Sequence, residues 1–390
     1  MRSTFLPFAR PDISEEAIAE VADSLRSGWI TTGPKAQAFE EEFAAYTGAP
    51  FALALNSATA GLHLACLALG LGPDDEVITT PMTFVATVNT ILWAGARPVL
   101  VDIDRETLNI DRDRLEAALT ERTRAIIPVH FAGLPCDMDA IEAFADRHGL
   151  AVIEDAAHAL GARYRGRLVG SSTRQRHVTV FSFHPTKNIT TGEGGMLCTG
   201  DEEVAEKTAL LRQHGMSKGA WKRYAVQGTP HYDVHFPGLK YNMLDIEAAI
   251  GRDQLRRLEG FNGRRRQIAA RYDEAFTGLP GLILPGGAGY DHLHGRHIYT
   301  PLVDIDGLGL SRDTFMARLR ERNIGTALHY QAVHLFRYYG ETFGWKKGDF
   351  PAAEFVSDRI VSLPLFPAMT DDDVSDVIDA VRAVCLAKGA

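Results

Sequence analysis

Three short stretches of the chain carry side chains suited to chemistry, and each follows an apolar run that reads as a β-strand. In NSATAGLHLA, the residues Asn56, Ser57 and Thr59 open a helical pattern directly after FALAL. Hydroxyls and free backbone N–H groups at a helix N-terminus make an anion site suited to phosphate, and the same residues also suit a plain N-cap. No GK[ST] and no GxGxxG is present there, so the stretch is neither a Walker A loop nor a dinucleotide fingerprint. In AVIEDAAHALGA, the run AVIE delivers Glu154, Asp155 and His158. An acid at that point lies where parallel sheets bind ligands, and it could equally cap a helix. Facing a ring nitrogen, an ionised carboxylate keeps that nitrogen protonated, because opposite charges in contact favour both charged forms. In VFSFHPTKNITTGEGG, Lys187 follows a strand-like run and precedes Gly192, Gly194 and Gly195. Held in a crevice, such a lysine loses part of its ammonium character and becomes an amine nucleophile; on an open loop it is merely solvated.

The order of the three stretches narrows the chemistry. A phosphate-binding helix start, an acid about a hundred residues on and a lysine about thirty beyond it is the arrangement that pyridoxal 5′-phosphate (PLP) requires. The helix start holds the phosphate, Asp155 holds the pyridinium nitrogen, and Lys187 supplies the Schiff-base amine. Phe84, in TPMTFVAT just past EVITT, is available to stack on the ring.

These residues need a scaffold, and the hydrophobic pattern predicts one. The strand candidates are FALAL (51–55), EVITT (76–80), PVLVD (98–102), AIIPV (125–129), AVIE (151–154), VTVFSF (178–183) and MLCT (196–199). Between the early ones lie ATAGLHLACLALG, TFVATVNTILWAG, RDRLEAALTE and MDAIEAFADRHG, each with a helical apolar period. Strands apolar on both faces, alternating with helices, imply a mostly parallel sheet sandwiched by helices. A first helix is expected from Asp12, with Glu15 three residues on and Ile18, Val21 and Leu25 as its apolar stripe, ending at Ser27-Gly28. After about residue 250 the rhythm changes to long helical segments (IEAAIGRDQLRRL, then RRRQIAARYDEAF), then HIYTPLVDI, RDTFMARLRER, IGTALHY and SLPLFP. The final helix is capped by Thr370 with Asp373. The run Arg264, Arg265, Arg266 reads as the wet face of its helix. The expected division is a large α/β domain over residues 1–250 and a smaller α+β domain over 251–390.

Composition bounds the partners. The chain has 390 residues, 45% hydrophobic and 23% charged, with a formal net charge of −9, which argues against a nucleic-acid or anionic-membrane partner. Cys66, Cys136, Cys198 and Cys385 are scattered, with no CxxC and no metal-ligand spacing, so reduced buried thiols and no metal are expected. The start MRSTFLPFARPDIS has no apolar h-region before small residues, so no signal peptide is expected and the location implied is cytoplasmic.

On SGWITTGP, NSATAGLHLA, VITTPMTFVATVN, PVLVDID, AIIPVHFAG, VIEDAAHALGA, FSFHPTKNITTGEGG, KYNMLDIEAAIG and SLPLFP, the chain resembles the DegT/DnrJ/EryC1/StrS family of sugar aminotransferases along nearly its whole length. These are PLP enzymes of the aspartate-aminotransferase fold (fold type I). The resemblance implies that Lys187 forms the imine and shuttles the proton, that Asp155 pairs with the pyridinium nitrogen, and that Phe84 stacks on the ring with His158 beside its O3′. It implies phosphate contacts from Ser57, Ala58, Thr59 and Ser182, and from Asn242 to the phosphate of a neighbouring subunit, hence a homodimer with composite active sites. The reaction implied moves the amino group of L-glutamate, released as 2-oxoglutarate, to a keto-sugar nucleotide. GWITTGPK, LKYNMLDIEAAIG and GTALHY look most like the branch acting on UDP-4-keto-pentose in lipid A modification; other branches serve cell-surface polysaccharide or natural-product synthesis.

Trp29, Thr31 and Thr32, with His329 and Tyr330, offer aromatic and hydroxyl groups suited to a nucleotide-sugar, and suit packing between domains equally well. His184, before Pro185, fits a catalytic role or simple loop geometry. The stretch RQHGMSKGAWKRYAVQGTPHYDVHF reads as a loop. Two rivals stand beside transamination: a PLP-dependent nucleotide-sugar dehydratase, and a non-catalytic regulator that binds nucleotide sugars or PLP. Relatives that dehydrate replace the lysine with His; this chain keeps Lys187.

Overall fold

The computed structural model describes residues 2–217 and 231–387, so part of the loop-like stretch 212–236 lies outside the described residues. All the strand candidates before residue 200 join one seven-stranded sheet. Its strands are β1 (Phe51–Leu55), β2 (Glu76–Thr79), β3 (Arg97–Leu100), β4 (Thr123–Ile126), β5 (Ala151–Asp155), β6 (His177–Ser182) and β7 (Gly195–Thr199), in the spatial order β1-β7-β6-β5-β4-β2-β3. Pairs β2–β3, β2–β4, β4–β5 and β5–β6 are parallel, while β7 runs antiparallel to both β6 and β1. The loop from β6 to β7 contains no helix, and a parallel return needs a longer crossover, so β7 reverses direction. Strand β1 therefore runs the same way as β5 and β6, and the carboxyl ends of β1, β2, β5 and β6 meet at one edge.

The central strands are apolar throughout because both faces are covered. Val178 and Val180 face a core with Leu62, Leu64 and Ile91 from the helices that follow the first two strands, whereas Phe181 turns to the opposite core with Phe39, Phe43 and Leu258. The longer helices among the described residues are α1 (Glu15–Ser27), α2 (Pro34–Thr47), α3 (Ala58–Ala68), α4 (Val85–Trp93), α5 (Met138–His148), α6 (Glu202–Leu211), α7 (Asp245–Phe276), α8 (Arg312–Arg320) and α9 (Asp371–Leu386). The four cysteines are free and buried.

The two helical segments expected after about residue 250 form one 32-residue helix, α7. Added Cβ atoms at Gly260 and Gly263 would meet nothing within 4 Å, so these glycines serve no close approach, and tertiary contacts carry the helix across them. Its second half, with α8 and α9, builds a second core around Tyr272, Phe276, Phe315, Val361 and Val377. Leu6 belongs to this core and pairs with Ile324 in a parallel bridge, so the N-terminal segment packs with the C-terminal part of the chain. The capping box of α9 is closed at both ends, Asp373 N–H to Thr370 Oγ1 at 3.1 Å and Thr370 N–H to Asp373 Oδ2 at 2.9 Å.

Two local expectations are corrected. Helix α1 is capped by Ser14, whose Oγ accepts from Ala17 N–H at 3.0 Å, because the Asp12 side chain is drawn to Arg257 at 2.8 Å. Its buried residues are Ala17 and Ser24, while Ile18 and Leu25 are 52% and 56% exposed, so the predicted stripe faces away from this chain's core. The basic run is no wet face either. Arg265 is buried, and Arg264 bonds the carbonyl of Met369 and the carboxylate of Asp371, both at 2.8 Å.

Candidate active site

The strand ends gathered at the carboxyl edge enclose a cavity of about 430 Å³. Its lining includes Ser57, Ala58 and Thr59 from the start of α3, Phe84 before α4, Asp155 and His158 after β5, Ser182 and Lys187 after β6, and His329 with Tyr330 from the second half of the chain. Two other cavities, of about 420 and 350 Å³, open beside Asp273 and Arg296 and beside Asp111 and Arg112; no lysine lines them.

At the α3 start, Ser57 Oγ takes the Ala60 N–H at 3.0 Å and Ser57 O takes the Gly61 N–H at 3.2 Å. The Ala58 and Thr59 N–H groups have no acceptor among the described residues, as expected of the first turn of a helix, and they open on the cavity. Gly195 makes this approach possible. A Cβ there would lie 2.6 Å from both the Ser57 carbonyl carbon and the Ala58 nitrogen. Gly192 holds φ +85, in the left-handed region that favours glycine, and turns the loop behind Lys187.

Asp155 ends β5 with its carboxylate almost wholly buried at 6% exposure. Its Oδ2 accepts from Thr87 Oγ1 at 2.7 Å and its Oδ1 from the Ala157 N–H at 3.2 Å. Burial pushes its carboxyl above the ordinary value, opposed by these two hydrogen bonds and by the Lys187 ammonium. Glu154, one residue earlier, points to the other side of the sheet and takes His130 Nε2 and His177 Nε2 at 2.8 Å each, with Thr179 Oγ1 at 2.6 Å. It therefore belongs to a buried structural network outside the cavity lining.

Lys187 lies in the cavity wall, and among the described residues no hydrogen bond or ion pair engages its Nζ. Burial lowers its ammonium to about 8, partly opposed by Asp155. Its carbonyl accepts from Arg265 at 3.3 Å, and the same guanidinium bonds the carbonyls of His297 and Leu365 at 2.9 and 2.7 Å. Arg265 thus ties the lysine loop to the second core.

His158 Nδ1 accepts the Ala132 N–H at 3.2 Å, so the neutral ring carries its proton on Nε2. That proton points at Tyr330 Oη, 2.8 Å away, and leaves the phenol's own proton for the cavity. Burial, then the Lys187 and His329 charges, keep His158 well below the usual imidazole range. His329 is lowered to about 4 by burial and Lys187. His184 also lines the cavity, its Nδ1 3.0 Å from Thr186 Oγ1.

The remaining sequence-predicted residues form a separate group. Thr31 and Thr32 pack against the start of α7, and Trp29 Nε1 donates to Thr32 O at 3.2 Å: Thr32 Oγ1 donates to Met243 O at 2.5 Å and accepts from Asn242 Nδ2 at 2.5 Å, and Thr31 O takes the Asp245 N–H at 3.2 Å. None of these four lines the cavity within this chain. Thr83 and Thr87 are absent from the residues expected at the site, and Arg265 is expected only on a wet helix face. The threonines stand four residues apart on either side of Phe84, one helical turn, and Arg265 falls on the same face of α7 as Leu258, Phe261, Ile268 and Tyr272, so both signals were present in the spacing.

A mostly parallel sheet with a lysine, a carboxylate and an open helix start at its carboxyl edge defines a fold type I aminotransferase, and solved structures agree. The chain belongs to the DegT/DnrJ/EryC1/StrS aminotransferase family, whose model matches residues 11–382. It is 52% identical over 390 residues, all of this chain and 99% of the relative, to the spore coat polysaccharide biosynthesis protein SpsC of Bacillus subtilis. DesV of S. venezuelae superposes with a TM-score of 0.90 at 36% identity, over 99% of this chain and 100% of that one. The Helicobacter pylori PseC, an aminotransferase involved in the biosynthesis of pseudoaminic acid, gives 0.88 at 29% identity over 98% and 99%. The protein is a sugar aminotransferase. No helix among the described residues is long and apolar enough to cross a membrane.

Proposed function

We propose that this enzyme uses PLP to move the amino group of L-glutamate to a keto-sugar nucleotide, with a UDP-4-keto sugar as the first candidate acceptor and a cell-surface polysaccharide as the product's destination. The observation that carries the reading is the Lys187 amine: without a hydrogen-bond or ion-pair partner among the described residues, lowered to about 8, and set in a cavity that also holds the Asp155 carboxylate and the open Ala58 and Thr59 N–H groups. Those groups fit the cofactor's parts one by one. The N–H pair suits the phosphate, Asp155 suits the pyridinium nitrogen, Phe84 offers an aromatic face, and the Ser182 hydroxyl, also in the cavity lining, suits the phosphate. When bound, PLP supplies an aldehyde carbon that accepts the amino group and a protonated ring that serves as an electron sink.

The chain's own residues then have defined work. Lys187, with roughly a tenth of its amine neutral at about pH 7, takes the proton from the substrate carbon that bears nitrogen and returns it on the acceptor side. His158, locked in its Nε2–H tautomer, holds Tyr330 so that the phenol donates into the cavity. His329 and Tyr330 border the space for the sugar, while Trp29, Thr31, Thr32 and Asn242 act across a subunit interface. In support of a homodimer, Ile13, Ile18, Leu25, Ile30 and Leu244 are 41%, 52%, 56%, 49% and 38% exposed in the single chain. The location proposed is the cytoplasm, where nucleotide sugars are made. The similarity to SpsC supports the polysaccharide destination, and Spr1654 of Streptococcus pneumoniae, solved in PLP and PMP forms at 34% and 35% identity, supports the cofactor.

The test is a two-stage reaction of the PLP-loaded protein. L-Glutamate is expected to bleach the visible absorption and release 2-oxoglutarate, and a panel of keto-sugar nucleotides is then scored for its return. An absorption that glutamate leaves untouched would refute transamination; bleaching that no keto-sugar reverses would refute the acceptor class.

A further inference from the structure

Asp155 is held by a chain of hydroxyls that runs through Thr87 to Thr83 in the cavity wall. Thr83 Oγ1 and Thr87 Oγ1 are 2.7 Å apart, and Thr87 Oγ1 is 2.7 Å from Asp155 Oδ2. Thr83, Thr87 and Asp155 are 2%, 0% and 6% exposed, so little solvent competes for these bonds. Proton counting fixes the direction. An ionised carboxylate only accepts, so Thr87 spends its single proton on Asp155 and must itself accept the proton of Thr83. Every proton in that chain has an acceptor. With the carboxyl protonated at Oδ2 the chain would reverse, and the Thr83 proton would have no acceptor among the described residues and would be left to the cavity that Thr83 lines. The chain therefore favours the anion, against burial, which favours the acid. It also fixes orientation: Oδ2 is committed to α4 and Oδ1 receives the Ala157 N–H.

We propose that Thr87, supported by Thr83, is a positioning residue that keeps Asp155 ionised and oriented, and thereby sets the protonation of the ring nitrogen of the bound cofactor. The proposal rests on the reading of this cavity as a PLP site. The other ionisable groups that act on the Asp155 carboxylate are Lys187, His130, Tyr330 and Cys136, and the variants below leave all of them in place.

The experiment compares the holoenzyme with Thr87→Val, which keeps the shape and loses the hydroxyl, Thr87→Ser, which keeps the hydroxyl, and Thr83→Val. Each is loaded with PLP labelled with ¹⁵N in the ring, and the nitrogen chemical shift is followed across pH together with PLP affinity. Wild type and Thr87→Ser are expected to show a protonated ring nitrogen. Thr87→Val is expected to shift that signal toward the unprotonated form and to weaken PLP binding by roughly 10–100-fold, the loss of one hydrogen bond to a charged group. Thr83→Val, which leaves the Thr87–Asp155 bond in place, is expected to shift the signal in the same direction by less, and it carries the test if Thr87→Val does not fold. A folded Thr87→Val, or failing that Thr83→Val, with the wild-type nitrogen shift and affinity overturns the proposal. A wild-type protein that binds no PLP instead overturns the cofactor reading, and the proposal with it.

Discussion

Lys187 should titrate far below an ordinary lysine in the cofactor-free protein, and its carboxylate neighbour should be what keeps it from falling further. Burial lowers the ammonium to about 8, and Asp155 opposes that shift. At about pH 7 a group of pKa about 8 is roughly a tenth neutral, whereas a free lysine near 10.4 is about 0.04% neutral, a difference of roughly 200-fold in reactive amine. Pulsed acylation of the apoprotein from about pH 6 to about pH 11, read by peptide mass spectrometry, gives the midpoint of Lys187 against the other lysines as internal references. The expected midpoint is about 8 in wild type. Asp155→Asn removes the charge that favours the ammonium, so its midpoint should be lower still. The same shift has a stability signature. Between the folded and unfolded values the unfolded chain binds the extra proton, so the wild-type apoprotein should gain stability relative to Lys187→Met as pH rises from about 8 toward about 10.4. A midpoint indistinguishable from the surface lysines, or one that rises in Asp155→Asn, would refute the account of a buried amine poised by a carboxylate.

Other consequences are equally direct. Lys187→Ala should lower turnover by at least about 10²–10⁴-fold, the usual contribution of a positioned base, while its far-ultraviolet circular dichroism stays that of the wild type. Gly195→Ala should cost about 1–3 kcal/mol in denaturant titration and weaken PLP binding in equilibrium dialysis, because the new methyl meets the backbone of Ser57 and Ala58 at 2.6 Å. Arg265→Met strips hydrogen bonds from the carbonyls of Lys187, His297 and Leu365 and should destabilise the fold by about 2–4 kcal/mol; an unchanged denaturation midpoint would show that the buried guanidinium ties nothing together. Burial alone would raise the Glu154 carboxyl, but hydrogen bonds from His130 and His177 hold it well below the usual carboxylate range. Its stabilisation is then present above the ordinary carboxylate value of 4.5 and fades as pH falls below it, so Glu154→Gln should be less stable at neutral pH and show a flatter acid limb.

The chemistry at the strand ends was legible because strand-forming runs and the polar residues that follow them are local properties. FALAL, AVIE and VTVFSF had to be buried strands, so Ser57, Asp155 and Lys187 had to emerge at the ends of strands. That β1, β5 and β6 point the same way, and that β7 between β1 and β6 does not, followed from connections and pairing across the whole chain. Helix α1 shows the limit of periodicity. Ile18 and Leu25 form a true apolar stripe, yet Ala17 and Ser24 are the residues that α7 covers, since a helix pattern does not say which partner its stripe will meet. Arg265 shows another: charge suggested solvent, but three carbonyls from distant segments converge on it only once the chain has folded. The sequence by itself determined the identity of the amine, the acid and the anion-binding turn, since these depend on residue type and on the strand just before each. Only the tertiary structure decided that Thr87 backs Asp155, that His158 carries its proton toward Tyr330, and that burial brings Lys187 to about 8, because hydrogen-bond partners and desolvation are set by neighbours far away in the chain.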